Sequence, residues 1–275
     1  MSLSAELKAI VTLLEDTDPV VEGCVDSYLM ANFSEIEDNM PEILMEIRSL
    51  SGARALFEKM SELNVEITLE KLGKAVREYE EDYVYEWFLV NRLVLFSANY
   101  DAMYSAMLVL AAKAEKSIPQ GAIPEQKITA FNRVFFEESG FEAMTDKDIP
   151  FEALLPSEVL VSRKGIPLVL DMIYVFLADM LGFPLKIYVK DDGFIAAWTD
   201  LEGEPMFFID MGCKGKIMSV AEVAGGTSGE DICLEDISVL NDIYAVVMSD
   251  IFTVSGEKEK SVLMMKAHEI LTGRQ

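Results

Sequence analysis

Histidine, cysteine and basic residues are what this sequence has least of. His268 is the sole histidine in 275 residues. Zinc sites that need two or more imidazoles are therefore excluded, and a Cys–His or Ser–His pair would have a single candidate base. Cys24, Cys213 and Cys233 are odd in number, widely spaced and never arranged as Cys-x-x-Cys. That rules out a disulfide scaffold and a zinc ribbon. Against 48 Asp and Glu stand only 23 Lys and Arg, a net charge of −25. Such a surface repels phosphate backbones and anionic headgroups, which argues against nucleic acid and membrane as partners and fits a basic protein. Long apolar runs are missing too. The most hydrophobic stretch, Ile166 to Leu185, is interrupted by Asp171 and Asp179 and reads as a buried helix. Glu6 and Lys8 interrupt the amino-terminal apolar residues, and no small-residue cleavage site follows, so no signal peptide is expected and the setting reads as cytoplasmic.

What is present is a chain with 51% hydrophobic residues, long enough for one or two domains with a sizeable core. The first ~115 residues read as successive helices. Asp18 and Pro19 form an N-cap and first-turn proline, Pro41 opens a further helix, and Ala53, Leu56, Phe57, Met60 and Leu63 recur at helical spacing. Leu69, Leu72, Val76 and Tyr79 form another face, Val84 to Phe96 is dense in apolar residues, and Asp101 starts a helix through Met107 and Ala111. Two prolines and a glycine between Ile118 and Pro124 mark a linker. Beyond it, Ile128, Phe131, Val134 and Phe135 share a helical face that Gly140 and Phe141 close. Ser157 to Arg163 reads as a short helix ended by Gly165. Leu168 to Leu181, with Pro167 at the first position, is apolar nearly all round, the mark of a core helix.

After Gly182-Phe183-Pro184 the period changes from 3.6 to 2. Leu185 to Lys190, Phe194 to Thr199 and Met206 to Met211 read as three strands of an antiparallel meander. Ser219 and Glu222 form a capping box, Ala224 to Gly229 a loop. The chain then returns to helix, with Ile237, Leu240, Ile243, Tyr244, Val247 and Ile251 on one face and a break at Gly256. The fold class is α+β, helix-rich, with one small sheet. Three segments are expected: a helical domain over 1–117, a core over 125–229 and a helical hairpin over 230–275.

The order of motifs carries a resemblance. Phe131-Asn132-Arg133-Val134-Phe135-Phe136-Glu137-Glu138-Ser139-Gly140-Phe141 precedes Arg163-Lys164-Gly165-Ile166-Pro167-Leu168-Val169-Leu170, followed by Leu181-Gly182-Phe183-Pro184 and then Ile209-Asp210. In this order and spacing, residues 125 to 225 resemble the bacterial SirB-type transglutaminase-like family. Members carry an N-terminal helical segment and a tetratricopeptide-like tail, and 236–271 fits one helix-turn-helix. The resemblance implies a transglutaminase-like, papain-like core. A catalytic version of that core needs a Cys at the head of the core helix, a His on a neighbouring strand and an Asp to orient it. Here Pro167 and Leu168 stand at the helix head, Gly193 or Phe194 at the His position, and Asp210 at the third. The resemblance thus implies a vestigial cleft at Pro167, Phe194 and Asp210 with no catalytic residue.

Each candidate has a plainer alternative. Asp210 is a relic of a triad or a turn residue capping backbone amides. Cys213, three residues on, is a relocated nucleophile if Lys214 and Lys216 depress its pKa, or else an ordinary thiol. Cys24 and Cys233 read as small core residues, and His268 as a surface or interface imidazole. Asp171 and Asp179 are either carboxyls of a functional site or partners of Arg163, Lys164, Arg133 or Arg92. Gly225 to Gly229 lacks the Gly-Lys-[Ser/Thr] of a phosphate loop, and Asp191-Asp192-Gly193 has too few oxygens for calcium. The acidic run Glu78, Glu80, Glu81 and Asp82 is a solvated helix face or a receptor for a basic partner. The methionines at 103, 107, 264 and 265 read as core filling. The expectation is therefore a non-catalytic protein that acts by protein–protein interaction, with no cofactor and no metal. The alternative is a hydrolase or other enzyme using Cys213 with Asp210, or Asp171 with Asp179.

Overall fold

In the computed structural model the described residues are 5–78, 82–145, 148–190, 193–224, 232–234 and 236–273. The acidic residues Glu80 and Glu81, the Asp191-Asp192 turn and the glycine-rich loop 225–229 lie outside them. The chain divides into two compact units, 1–71 and 72–275.

The first unit is helical. Helix α1 covers Ala5–Leu13, α2 Pro19–Ala31, α3 Phe33–Asp38 and α4 Met40–Glu46. The start of α2 is the expected one: the Asp18 carboxylate accepts the Val20 N–H at 2.8 Å with Pro19 at the first helical position. Helix α5 runs unbroken from Leu50 to Glu78, so the two stretches of helical spacing in the sequence belong to one helix. The Thr68 hydroxyl, buried at mid-helix, donates to the Asn64 side-chain Oδ1 one turn back at 3.1 Å, so these polar residues are paired without a break in the helix. Leu56, Met60 and Leu72 are fully buried along α5, whereas Phe57 stays exposed. Cys24 on α2 is exposed, which corrects its reading as a core residue.

The second unit continues with α6 (Tyr83–Arg92), capped by the Asp82 carboxylate on the Tyr85 N–H at 3.0 Å. Helix α7 (Tyr100–Ser117) follows, capped by Asn99, and α8 spans Pro124–Asn132. From Arg133 to Glu138 the helix widens into a π turn, with Ser139 N–H bonded to the Val134 carbonyl five residues back at 2.9 Å. The four residues expected on one face, Ile128, Phe131, Val134 and Phe135, are all buried, the last two on the π turn. Strand β1 (Glu142–Ala143) pairs in parallel with β2 (Lys164–Gly165), and between them lies α9 (Pro156–Ser162). This helix ends at Arg163, whose φ of 64° makes it the left-handed cap in place of the expected Gly165.

Helix α10 (Pro167–Met180) is the centre of the unit, and every residue from Met172 to Ala178 is buried. One side meets α6 and α12 (Val239–Ser255) through an aromatic cluster: Phe176 lies 5.1 Å from Trp87, which is 6.0 Å from Tyr244. Another meets Phe131, 4.6 Å from Tyr174. At its end, Phe183 packs on Trp198 of the sheet at 5.1 Å. Each such side chain contributes about 1.5–3 kcal/mol on burial, so packing adds far more to α10 than helix propensity does.

The sheet contains the expected meander, β3 (Leu185–Lys190), β4 (Gly193–Thr199) and β5 (Pro205–Asp210), all antiparallel. Two short edge strands complete it, β6 (Lys216–Met218) and β7 (Ile232–Leu234), in the order β6-β5-β4-β3-β7. Beyond β6 the capping box opens α11 (Val220–Ala224): Glu222 accepts the Ser219 N–H at 2.7 Å. Helix α12 buries Leu240, Tyr244, Met248 and Phe252. Ile243, Val247 and Ile251, expected on that face, are half-buried because the buried stripe lies one residue over. Gly256, with φ of 84°, ends α12 before α13 (Lys258–Thr272). Met103, Met107 and Met264 are buried as core filling, while Met265 is exposed.

Candidate functional site

The head of α10 is where the resembled family would hold a nucleophile. Ile166 takes the extended N-cap conformation and offers no side-chain cap, and Pro167 follows as the first helical residue. Proline fits there because its missing N–H is one the helix cannot use. Neither Pro167 nor Leu168 carries a nucleophilic atom.

Beside this helix head lies a cavity of about 370 Å³. Its helical wall is Pro167, Leu170, Asp171 and Tyr174, the i, i+3, i+4, i+7 stripe of α10. Phe135 and Phe136 come from the π turn, Phe141 to Ala143 and Thr145 from the segment around β1, and Met211, Gly212 and Lys214 from the turn after β5. Three separate stretches of chain therefore converge on one face of the core helix.

A short chain of hydrogen bonds fixes their relative positions. The buried Tyr174 hydroxyl donates to the Asn132 carbonyl oxygen at 2.7 Å, and Asn132 Nδ2 donates to the Gly215 carbonyl at 2.6 Å. Gly215 has φ of 71°, and a Cβ there would overlap the Asn132 carboxamide. Glycine is required twice over at this position, by conformation and by space. Burial also pushes the Tyr174 hydroxyl well above the usual tyrosine range, so it stays a donor.

Asp171 is the electrostatic centre. It is half-buried in the cavity wall, and no hydrogen bond or ion pair to it is present among the described residues. Burial, with a smaller contribution from the negative charge of Asp210, pushes its pKa up to about 8. The expected pairing of the α10 carboxyls with basic residues is corrected here. Arg133 instead bonds Glu138 at 3.2 Å, Lys164 meets Glu142 at 3.9 Å, Arg163 stacks 4.8 Å over Phe141 and Arg92 lies 5.9 Å over Phe96. Asp179 is exposed and accepts the Tyr83 hydroxyl. Eight residues separate the two carboxyls on one helix, a rise of about 12 Å, so they do not form one site.

Asp210 closes β5, and its Oδ1 accepts the Cys213 N–H at 3.0 Å. Its backbone carbonyl accepts the Gly215 N–H at 2.9 Å, so the residue shapes the turn into β6. The Cys213 thiol is exposed, and its hydrogen bond to Asp210 together with that residue's charge pushes its pKa up. Lys216 pulls the other way but is outweighed, which corrects the expectation of an activating lysine effect. Of Pro167, Phe194 and Asp210, only Pro167 lines the cavity. Phe194 is half-buried at the start of β4, and Asp210 immediately precedes the lining residue Met211. His268 bonds Asp242 of α12 through Nδ1, and neither residue lines the cavity. Cys233 is half-buried on β7.

No group of three or more His, Cys, Asp or Glu suited to a metal is present among the described residues. No helix among them is long and apolar enough to cross a membrane. The sequence reading missed Phe136, Glu142, Tyr174 and Gly215. The signal for Tyr174 was the α10 stripe: on a helix apolar nearly all round, the positions three and four apart from Asp171 mark the face that is not simply core.

A family model described as the Transglutaminase-like superfamily matches residues 101–230. That stretch takes in α10, the cavity and the sheet as far as β6. No curated protein and no solved structure matches the chain.

Proposed function

We propose that this chain is a non-catalytic member of the SirB-type branch of the transglutaminase-like proteins, acting in the cytoplasm by binding a protein partner. The observation that carries the reading is the head of α10. Pro167 and Leu168 stand at the helix head, where the resemblance would put a nucleophile, and no Cys or His lines the adjoining cavity among the described residues. Acyl transfer through a thioester needs a thiolate and a base within hydrogen-bond reach of each other, and neither stands here. Cys213 with Asp210 is a poor substitute, because the carboxylate holds the thiol proton on where a nucleophile requires it off. The net charge of −25 favours a basic partner.

Two assays test the reading. Incubation with glutaminyl and peptide-amide substrates is expected to release no ammonia above background. A release that is abolished on changing Cys213 or Asp210 would overturn the non-catalytic reading. Affinity purification at rising salt is expected to lose the partner progressively, as for a charge-steered interface. Retention of the partner at high salt would replace the electrostatic account with an apolar one.

A further inference from the structure

The geometry points to a binding site for an organic cation of the quaternary-ammonium class in the cavity at the head of α10. This goes beyond partner binding and does not depend on it. The aromatic wall is held in place before any ligand arrives: Phe135 stacks on Phe141 with centroids 4.3 Å apart, and Phe136 stacks on Tyr174 at 6.0 Å. Phe135, Phe141 and Tyr174 are buried and Phe136 half-buried, so Phe136 is the ring left to meet a cation, which a ring attracts through the negative charge of its face. Asp171 supplies the counter-charge, and it is free to do so because no hydrogen bond or ion pair in the described structure engages it.

The class of cation follows from what the cavity lacks. A primary ammonium carries three N–H donors, and each one left unmet in a desolvated site is costly. Besides Asp171, the side-chain acceptors among the described lining residues are Thr145, Glu142 and the Tyr174 hydroxyl; Glu142 already sits 3.9 Å from Lys164, and the Tyr174 hydroxyl is engaged by Asn132. A quaternary ammonium has no N–H to satisfy, is weakly hydrated and suits a mainly apolar wall that carries the unpaired Asp171. An anion would meet Asp171 and Glu142 in the wall and Asp210 behind it. An uncharged ligand gains nothing from the ionisation of Asp171, so only a cation should bind more tightly as the pH rises.

Among the described residues, the charged groups around Asp171 are Asp210 from the end of β5, Glu142 from β1 and Lys214 from the turn after β5, with the Tyr174 hydroxyl on α10 engaged by Asn132. Lys214 makes no ion pair with Asp171, and its own charge is what a bound cation must avoid. Because Asp171 holds its proton up to about pH 8, a cation that needs the ionised form displaces that proton on binding. Affinity should therefore rise about tenfold between roughly pH 7 and roughly pH 9.

The test is calorimetric titration of the full chain with choline and with its uncharged carbon isostere, in which carbon replaces nitrogen. Choline is expected to bind at least about tenfold more tightly, with the pH dependence above. A trimethyl-lysine peptide set against its unmethylated form separates a protein-borne head group from a free one. Asp171→Asn should abolish both the preference for charge and the pH dependence, with thermal melts confirming its fold. Phe136→Leu should weaken binding severalfold while the pH dependence stays. The proposal is overturned if neither choline nor the trimethyl-lysine peptide outbinds its counterpart, or if Asp171→Asn leaves the preference intact. Ammonia release in the amidase assay would sink the non-catalytic reading and leave this one standing.

Discussion

Replacing Asp171 with asparagine keeps the shape of the side chain and removes the charge that α10 presents to the cavity. The ordinary aspartate value of 3.8 applies in the unfolded chain, whereas burial and Asp210 push the folded value up to about 8. Between those values the folded protein holds a proton that the unfolded chain has released. The stability associated with the group is thus complete below about pH 4, falls as the pH rises to about 8, and levels off above that. At about 1.4 kcal/mol per tenfold change in proton affinity, the loss has a ceiling of about 6 kcal/mol. The side chain keeps some contact with water, and screening reduces the expected loss to about 2–3 kcal/mol. Asparagine has nothing to ionise and loses none of this. Paired urea and thermal melts from about pH 4 to about pH 9 should therefore start with a small gap and open steadily, the variant ending about 5–10 °C ahead. A constant gap across that range would refute the account of Asp171 as a half-buried, unpaired carboxyl. So would a variant that becomes the less stable protein at the alkaline end.

Three more outcomes follow from the same region. Gly215→Ala should cost about 2 kcal/mol or more, read as a lower urea midpoint, because the new Cβ needs a left-handed backbone and the space of the Asn132 carboxamide. Tyr174→Phe should cost about 1–2 kcal/mol by leaving the Asn132 carbonyl oxygen without its donor; a loss below about 0.5 kcal/mol would show that water replaces the hydroxyl there. Asp210→Asn should bring the Cys213 thiol down towards its ordinary value and speed its alkylation near neutral pH, as followed by peptide mass spectrometry. An unchanged rate would mean that the thiol does not feel the carboxylate.

How far the sequence could be read depended on whether a feature was local. The core helix, the three meander strands and the Asp18–Pro19 and Ser219–Glu222 caps were legible because each rests on residues within a few positions of one another. The unbroken run of α5 was not, since Asn64 and Thr68 look like interruptions until their mutual hydrogen bond is seen. The end of α9 was legible but its cap was misassigned, because a left-handed turn is expected at glycine and Arg163, stacked on Phe141, takes it instead. Edge strands β6 and β7 hold three residues each, too short for a period of two to show. At the site, the head of α10 was legible from its proline. The fate of Asp171 was not, because basic residues close in sequence find other partners in space. Tyr174, Asn132 and Gly215 are dispersed along the chain, and nothing in local pattern joins them.

The π turn at Arg133–Glu138 carries one residue more than an ordinary helix would hold over the same rise. Phe135 and Phe136 sit on that surplus. Loss of a single residue here would restore regular winding with the flanking segments in place, and Phe135 and Phe136 would no longer sit as they do in the wall facing α10. The helix itself would be indifferent to the deletion. The segment therefore works as a gauge of length, and descent with one residue more or less at this turn would open or close the cavity without exchanging any side chain that lines it.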